Sequence, residues 1–232
     1  MADSTTRPVQ TIVGAVRART GAEGHGLGIG RFLSRLSGAD YLSLAALFAA
    51  WVSALLILDG APNWGIVAMF VAFLFDKLDG FYARRYGDPS DFGRQIDSFI
   101  DIFTYLVTAA LLYHVALAPN TFLSAFVGFA VVCFGGLRLV RHNDEGFQSA
   151  GEKSYYRGTT VVHTNVVVVT NYLLAVFVAG WNGWLAAVPI LLSCPLMVSE
   201  YRAFKTVWGH VLVGAFGVAV GTLSLLLALG VL

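Results

Sequence analysis

The chain has 232 residues, 57 % of them apolar and 12 % charged, with a mean hydropathy of +0.71 and a formal net charge of +1. Soluble domains carry roughly 25 % charged residues, so this sequence lacks about half the charge that a water-facing surface needs. That excludes an ordinary soluble enzyme, a disordered chain and a nucleic-acid-binding domain with a basic face, and leaves a polytopic membrane protein with one integral domain.

The first twenty residues contain no continuous apolar run of the kind a cleavable signal needs, and carry Arg7, Arg17 and Arg19 instead. Gly26-Leu-Gly-Ile-Gly30 is glycine-rich but follows no strand pattern, which excludes a dinucleotide-binding loop. Residues 30–37 set Phe32, Leu33 and Leu36 at helical spacing beside Arg31 and Arg35, the pattern of an interfacial amphipathic helix. The expected division is a cytoplasmic N-terminal arm over 1–38 and a transmembrane domain over 39–232. Within the latter, runs of about 20 apolar residues predict spans near 41–58, 62–83, 95–117, 121–140, 159–179, 184–200 and 207–231. The sixth is short, so six to eight transmembrane helices fit the pattern. The expected fold class is all-α, a polytopic integral membrane helical bundle with an N-terminal interfacial helix. Cys133 and Cys194 lie inside apolar runs without a C-x-x-C spacing and read as packing residues.

All 15 Lys and Arg fall on one side of this topology: before the first span, and in or next to the connections after the second, fourth and sixth, with Lys77 and Arg138 in the adjoining span ends. The opposite loops, marked by Pro62, Pro119 and Trp181-Asn-Gly-Trp184, hold Asp59 and no basic residue. The positive-inside rule then puts the N-terminus and the basic connections in the cytoplasm of a cell-membrane protein, and the C-terminus outside if there are seven spans.

Six of the fourteen acidic residues (Asp76, Asp79, Asp88, Asp91, Asp97 and Asp101) crowd one junction between the second and third spans. Steps of three and four put Asp76, Asp79, Gly80, Ala83 and Arg84 on one helix face, and Gly93, Asp97 and Asp101 on another. Joined by a turn at Gly87-Asp88-Pro89-Ser90, the two helices would bring four carboxylates together at the cytoplasmic boundary. Carboxylates so placed repel one another and resist desolvation. Hard divalent cations relieve both, and two of them about 4 Å apart form a clamp for phosphoryl displacement. Gly80, Ala83 and Gly93 leave room for a bulky ligand, and Arg84 suits a phosphate oxygen. The alternative is a solvated acidic loop paired to Lys77, Arg84, Arg85 and Arg94.

The stretch resembles the signature of the CDP-alcohol phosphatidyltransferases, D-x2-D-G-x2-A-R-x8-G-x3-D-x3-D, and meets each of its fixed positions: Asp76, Asp79, Gly80, Ala83, Arg84, Gly93, Asp97 and Asp101. The resemblance implies two Mg2+ or Mn2+ ions held by Asp76, Asp79, Asp97 and Asp101. It also implies Asp101 as general base and a CDP-lipid site at Asp79, Gly80, Ala83, Arg84 and Gly93. The implied reaction transfers a lipid-linked phosphate from a CDP-lipid to an alcohol and releases CMP, carried out by a homodimer in the bilayer.

Three further stretches resemble the phosphatidylserine synthase branch: Asp97-Ser98 with Asp101, Leu137-Arg-Leu-Val-Arg-His-Asn143, and Leu196-Met-Val-Ser199 leading to Phe204-Lys205. That branch favours serine as the acceptor, with Arg138, Arg141, Asn143 and Arg157 as candidate contacts. Two departures stand out: His142 replaces an aromatic, and Tyr155-Tyr-Arg-Gly-Thr-Thr-Val161 lacks the branch's two prolines. Glycerol phosphate or inositol phosphate is the alternative acceptor. His163, Asn165 and Asn171 lie in the fifth span, His163 and Asn171 on one face, and read as interhelix hydrogen-bonding groups. The rival readings of another class are a cation transporter, because intramembrane acids also line ion pathways, and a non-catalytic assembly partner.

Overall fold

A capping box at Ser37 sets the start of the first helix. The Ser37 side chain accepts from the Asp40 N–H at 3.2 Å, while Asp40 Oδ2 accepts from the Ser37 N–H at 2.7 Å, so two donors without intrahelical partners satisfy each other reciprocally. The computed structural model describes residues 36–86, 91–146, 148–150, 153–204 and 207–232. The N-terminal arm with its amphipathic segment, apart from Leu36 and Ser37, and the turn at 87–90 lie outside the described residues.

From this cap α1 (Gly38–Leu58) runs to a short connection, and α2 (Pro62–Tyr86) begins on proline, whose missing N–H costs nothing in a first turn. The third helix, α3, is continuous over 91–117 but uneven: Asp91–Asp101 and Thr108–Leu112 are α-helical, whereas Ile102–Val107 and Tyr113–Leu117 widen to i→i+5 turns. The widening is carried by bonds from Thr108 N–H to Phe103 O and from Ala118 N–H to Tyr113 O. Then follow α4 (Thr121–Glu145), capped by Asn120; α5 (Val161–Phe177); α6 (Gly183–Met197), capped by Asn182; and α7 (Val207–Ala228). Each predicted span is thus a helix, with ends displaced by a few residues.

The helices Gly38–Leu58, Gly93–Leu117, Thr121–Glu145 and Val211–Ala228 are long and apolar enough to cross a membrane. At 1.5 Å per residue, α5 and α6 reach only about 25 and 22 Å, short of a hydrocarbon core of about 30 Å. Their fully buried Val161, Val168, Ile190 and Met197 join Leu106, Leu112 and Tyr113 of α3 and Val127 and Val131 of α4 in one core. The outer faces carry Phe48, Trp51, Phe122, Phe129, Leu192 and Leu212, all exposed. So much apolar surface turned outward is a lipid-facing exterior, and the fold is a polytopic all-α membrane bundle.

Contacts at the two ends fix the alternation of the helices. At the end poor in charge, Tyr113 Oη donates to the Gly183 carbonyl at 3.0 Å, and Tyr172 Oη to Asn63 Oδ1 at 2.7 Å. A Cβ on Gly183 would collide with the Leu117 carbonyl, so α6 can start there only on glycine.

At the opposite, polar end the two basic connections pair into a small antiparallel sheet that the sequence did not announce. Its strands are β1 (Gln148–Ala150), β2 (Lys153–Arg157) and β3 (Arg202–Phe204), in that order, with Tyr155 opposite Phe204 and Arg157 opposite Arg202. Strands of three to five residues are too short for alternation to be read from sequence. The chain leaves β2 through Gly158, at φ +71°, where a Cβ would strike the Met197 carbonyl.

Candidate active site

The last turns of α2 and the first of α3 meet at the polar end. One carboxylate oxygen from each of Asp76, Asp97 and Asp101 lies within 4.8 Å of the other two. Asp97 and Asp101 are one turn apart on α3, and Asp76 comes from α2. Oxygens around a single Mg2+ at about 2.1 Å stand at most about 4.2 Å apart, so the trio has nearly the dimensions of a hard-cation site. Its all-oxygen donor set matches Mg2+ or Mn2+ rather than a softer metal.

Two side chains that sequence reasoning did not single out hold carboxylates of this junction: Tyr105 on Asp76 of the trio, and Ser43 on Asp79. Asp76 Oδ2 accepts from Tyr105 Oη at 2.6 Å and from its neighbour Lys77 Nζ at 2.7 Å. Tyr105, 3 % exposed, sits in the first widened turn of α3, and its carbonyl accepts from Asn165 Nδ2 of α5 at 3.0 Å. Asp79 stands outside the trio. Its Oδ2 accepts from Ser43 Oγ of α1 at 2.5 Å, with both residues buried. The only sequence signal for Ser43 and Tyr105 was a hydroxyl within an apolar span.

Of the three fifth-span groups expected to bond between helices, Asn165 does so, through Nδ2 to the Tyr105 carbonyl of α3. His163 Nδ1 pairs with Thr160 Oγ1, the N-cap residue of the same helix, at 2.7 Å, and Asn171 Nδ2 donates within α5 to the Val167 carbonyl at 2.8 Å. His114, by contrast, does bridge helices, through Nδ1 to Ser124 Oγ at 2.8 Å.

The other signature residues surround the carboxylates. A Cβ on Gly80 would lie 3.4 Å from Arg84 Nη1, so the exposed Arg84 guanidinium folds back along the face that Gly80 leaves bare. Ala83 and Gly93 are half-buried beside the same junction. Ser98 Oγ donates to Asn143 Oδ1 at 3.0 Å, which ties the start of α3 to the end of α4.

Arg138, Arg141 and Arg157 line one small polar recess together with His142, Glu145 and Gly146. Arg138 is 6 % exposed and within electrostatic reach of Asp101. The Arg141 guanidinium is turned toward backbone. It donates to the carbonyls of Val198 at 2.8 Å, Arg157 at 3.0 Å, and Met197 and Ser199 at 3.3 Å, with Glu200 at 3.8 Å. Arg157 lies between Glu145 at 3.5 Å and Glu200 at 3.6 Å. Asn143 is not part of the recess lining.

An archaetidylserine synthase of Methanothermobacter thermautotrophicus is 32 % identical over 164 residues, 69 % of this chain and 66 % of that protein. CDP-diacylglycerol–serine O-phosphatidyltransferases of Methanocaldococcus jannaschii and Bacillus subtilis are each 35 % identical over 82 and 81 residues, 34 % of this chain and 40 % and 46 % of theirs. The chain therefore spans less than two thirds of the length of each of these relatives. The family model for CDP-alcohol phosphatidyltransferases matches residues 36–194, the stretch that carries α1 to α5, most of α6, the carboxylate trio and the arginine recess. The chain belongs to the CDP-alcohol phosphatidyltransferase family.

Proposed function

We propose that the protein transfers the phosphatidyl group, or its ether-lipid counterpart, from a CDP-lipid to the hydroxyl of L-serine with release of CMP. The observation that carries the chemistry is the convergence of Asp76, Asp97 and Asp101 at the polar end of a lipid-facing bundle. The names of the relatives favour serine, and so does the buried Arg138, which can hold a carboxylate at the recess beside Asp101.

In this reading Asp76, Asp97 and Asp101 hold divalent cation, with Asp79 completing the set. When bound, Mg2+ or Mn2+ supplies charge neutralisation on the diphosphate and on the attacking and leaving oxygens. Gly80, Ala83 and Gly93 leave the CDP moiety space against the backbone, and Arg84 faces its phosphate. Arg138 and Arg157 orient the acceptor, Arg141 fixes the recess in which it sits, and Asn143, outside the lining, ties α4 to α3 through Ser98. Asp101 takes the proton of the serine hydroxyl. The serine oxygen attacks the lipid-side phosphorus, the bond from that phosphorus to the CMP oxygen breaks, and CMP leaves. Such direct displacement inverts the configuration at phosphorus, so trapping of a lipidyl-enzyme on a Ser or Cys would refute it.

The positive-inside asymmetry of all 15 basic residues supports a cytoplasmic site, with the 1–38 arm on that face. We further read the active form as a homodimer. A cation pathway needs acids distributed through the membrane depth; the acids of the described helices, Asp40, Asp76, Asp79, Asp97, Asp101, Asp144 and Glu145 among them, lie at one end. Purified protein incubated with CDP-diacyl or CDP-dialkyl lipid, Mn2+ or Mg2+ and a panel of alcohols tests the proposal. CMP release with serine is expected. Release only with glycerol phosphate or inositol phosphate would reassign the acceptor, and no release with any alcohol would refute the enzymatic reading.

A further inference from the structure

Tyr105 is the one deeply buried phenol that donates to a carboxylate of the trio among the described residues. Its oxygen lies 2.6 Å from Asp76 Oδ2, while the residue itself is 3 % exposed. Lys77 Nζ lands on the same oxygen at 2.7 Å. Both donors therefore load Oδ2, and Oδ1 carries neither. A carboxylate held by one oxygen cannot rotate to share both with its donors, so the other oxygen keeps a fixed direction.

The backbone explains how a residue eight positions after Asp97 reaches this place. In a regular α-helix a four-residue step overshoots a full turn of 3.6 residues, so residues 97, 101 and 105 would drift around the axis. Between Asp101 and Tyr105 the turn is widened to i→i+5, which takes up the surplus and keeps Tyr105 near the line of Asp97 and Asp101. Asn165 secures that turn from α5 by donating to the Tyr105 carbonyl at 3.0 Å. Widened turns of this kind hold their geometry only against local packing, and they recur at functional sites.

We propose that Tyr105 is a positioning residue for the carboxylate site: its O–H fixes the Asp76 carboxylate for cation binding without touching substrate. The inference rests on the reading of Asp76, Asp97 and Asp101 as cation ligands. Carboxylates that ligate metals are themselves hydrogen-bonded, and loss of such a partner typically weakens metal affinity by about 10–100-fold.

The test is Mn2+ binding to wild type and Tyr105→Phe in detergent, followed by the loss of the free-Mn2+ electron paramagnetic resonance signal. The melting temperature of the metal-free proteins and the Mn2+ dependence of CMP release are measured alongside. Tyr105→Phe is expected to bind Mn2+ about 10–100-fold more weakly, with a metal-free melt lowered by no more than the loss of one hydrogen bond accounts for. Its turnover should return toward the wild-type kcat at saturating Mn2+, while the half-saturating concentration rises. Equal Mn2+ affinities in the two proteins would overturn the role of Tyr105 and leave the cation site intact. No Mn2+ uptake by wild type would overturn the cation site itself, and this proposal with it. If the metal-free melt falls further than that and excess Mn2+ restores no turnover, Tyr105 serves folding and the proposal is likewise overturned. Tyr105→Trp, which restores bulk and a donor at a different reach, should also bind Mn2+ weakly; wild-type affinity in that variant would count against a positioned O–H.

Discussion

Arg141, a candidate acceptor contact in the sequence, is placed by its hydrogen bonds as an architectural clamp. Its guanidinium makes two bonds of 2.8 and 3.0 Å and two of 3.3 Å to carbonyls of Val198, Arg157, Met197 and Ser199, joining the end of α4 to β2 and to the segment after α6. Hydrogen bonds from a charged donor contribute about 1.5–3 kcal/mol each. The side chain is 21 % exposed, and carbonyls released at the polar end regain water, so the four do not add. A loss of about 2–4 kcal/mol on Arg141→Ala is the reasoned magnitude, equivalent to a fall in melting temperature of about 4–16 °C for a chain of this size. Arg141→Lys keeps the charge but loses the planar fork, and should recover less than half of that. The assay is thermal unfolding in detergent together with acceptor KM measured on the folded fraction. An unchanged melt accompanied by a KM rise of roughly tenfold, about 1.4 kcal/mol of binding, would refute the clamp and return Arg141 to the acceptor.

Three other outcomes test the site and its frame. Asp97→Ala should remove CMP release while the protein still elutes as a folded species in detergent; retained turnover would exclude Asp97 from the cation site. Ser43→Ala deletes the 2.5 Å donor to buried Asp79, a loss of about 1.5–3 kcal/mol that should appear as a fall of about ten- to a hundredfold in kcat/KM for the CDP-lipid; an unchanged value would separate Asp79 from substrate handling. Tyr113→Phe removes the bond to the Gly183 carbonyl at the far end of the bundle, costing about 1 kcal/mol of stability with the same turnover per folded molecule. A turnover defect there would show that the two ends are coupled.

Much of this organisation was legible from residue order. Long apolar runs dictate helices wherever lipid leaves the backbone no other partner, so the spans could be placed to within a few residues. The 3.6-residue period puts Asp97 and Asp101 on one face without knowledge of any neighbour. Short strands such as Arg202–Phe204 were not legible, because their partner in β2 lies far away in the chain and three residues carry no periodicity. The same holds for Ser43, whose hydroxyl gains significance only because α1 packs beside the end of α2.

The sequence by itself therefore determined the solvent, the order and approximate bounds of the helices, the side on which charge collects, and the spacing of the aspartates along each helix. Those properties depend on composition and local geometry. Tertiary structure decided which carboxylates meet. It drew Asp76 to Asp97 and Asp101, turned Asp79 to Ser43, brought Tyr105 behind Asp76 through a widened turn, and directed Arg141 onto four carbonyls. The physical reason is that a buried polar group must find its partner in space, and that partner is chosen by how helices pack, which spacing within one helix does not encode.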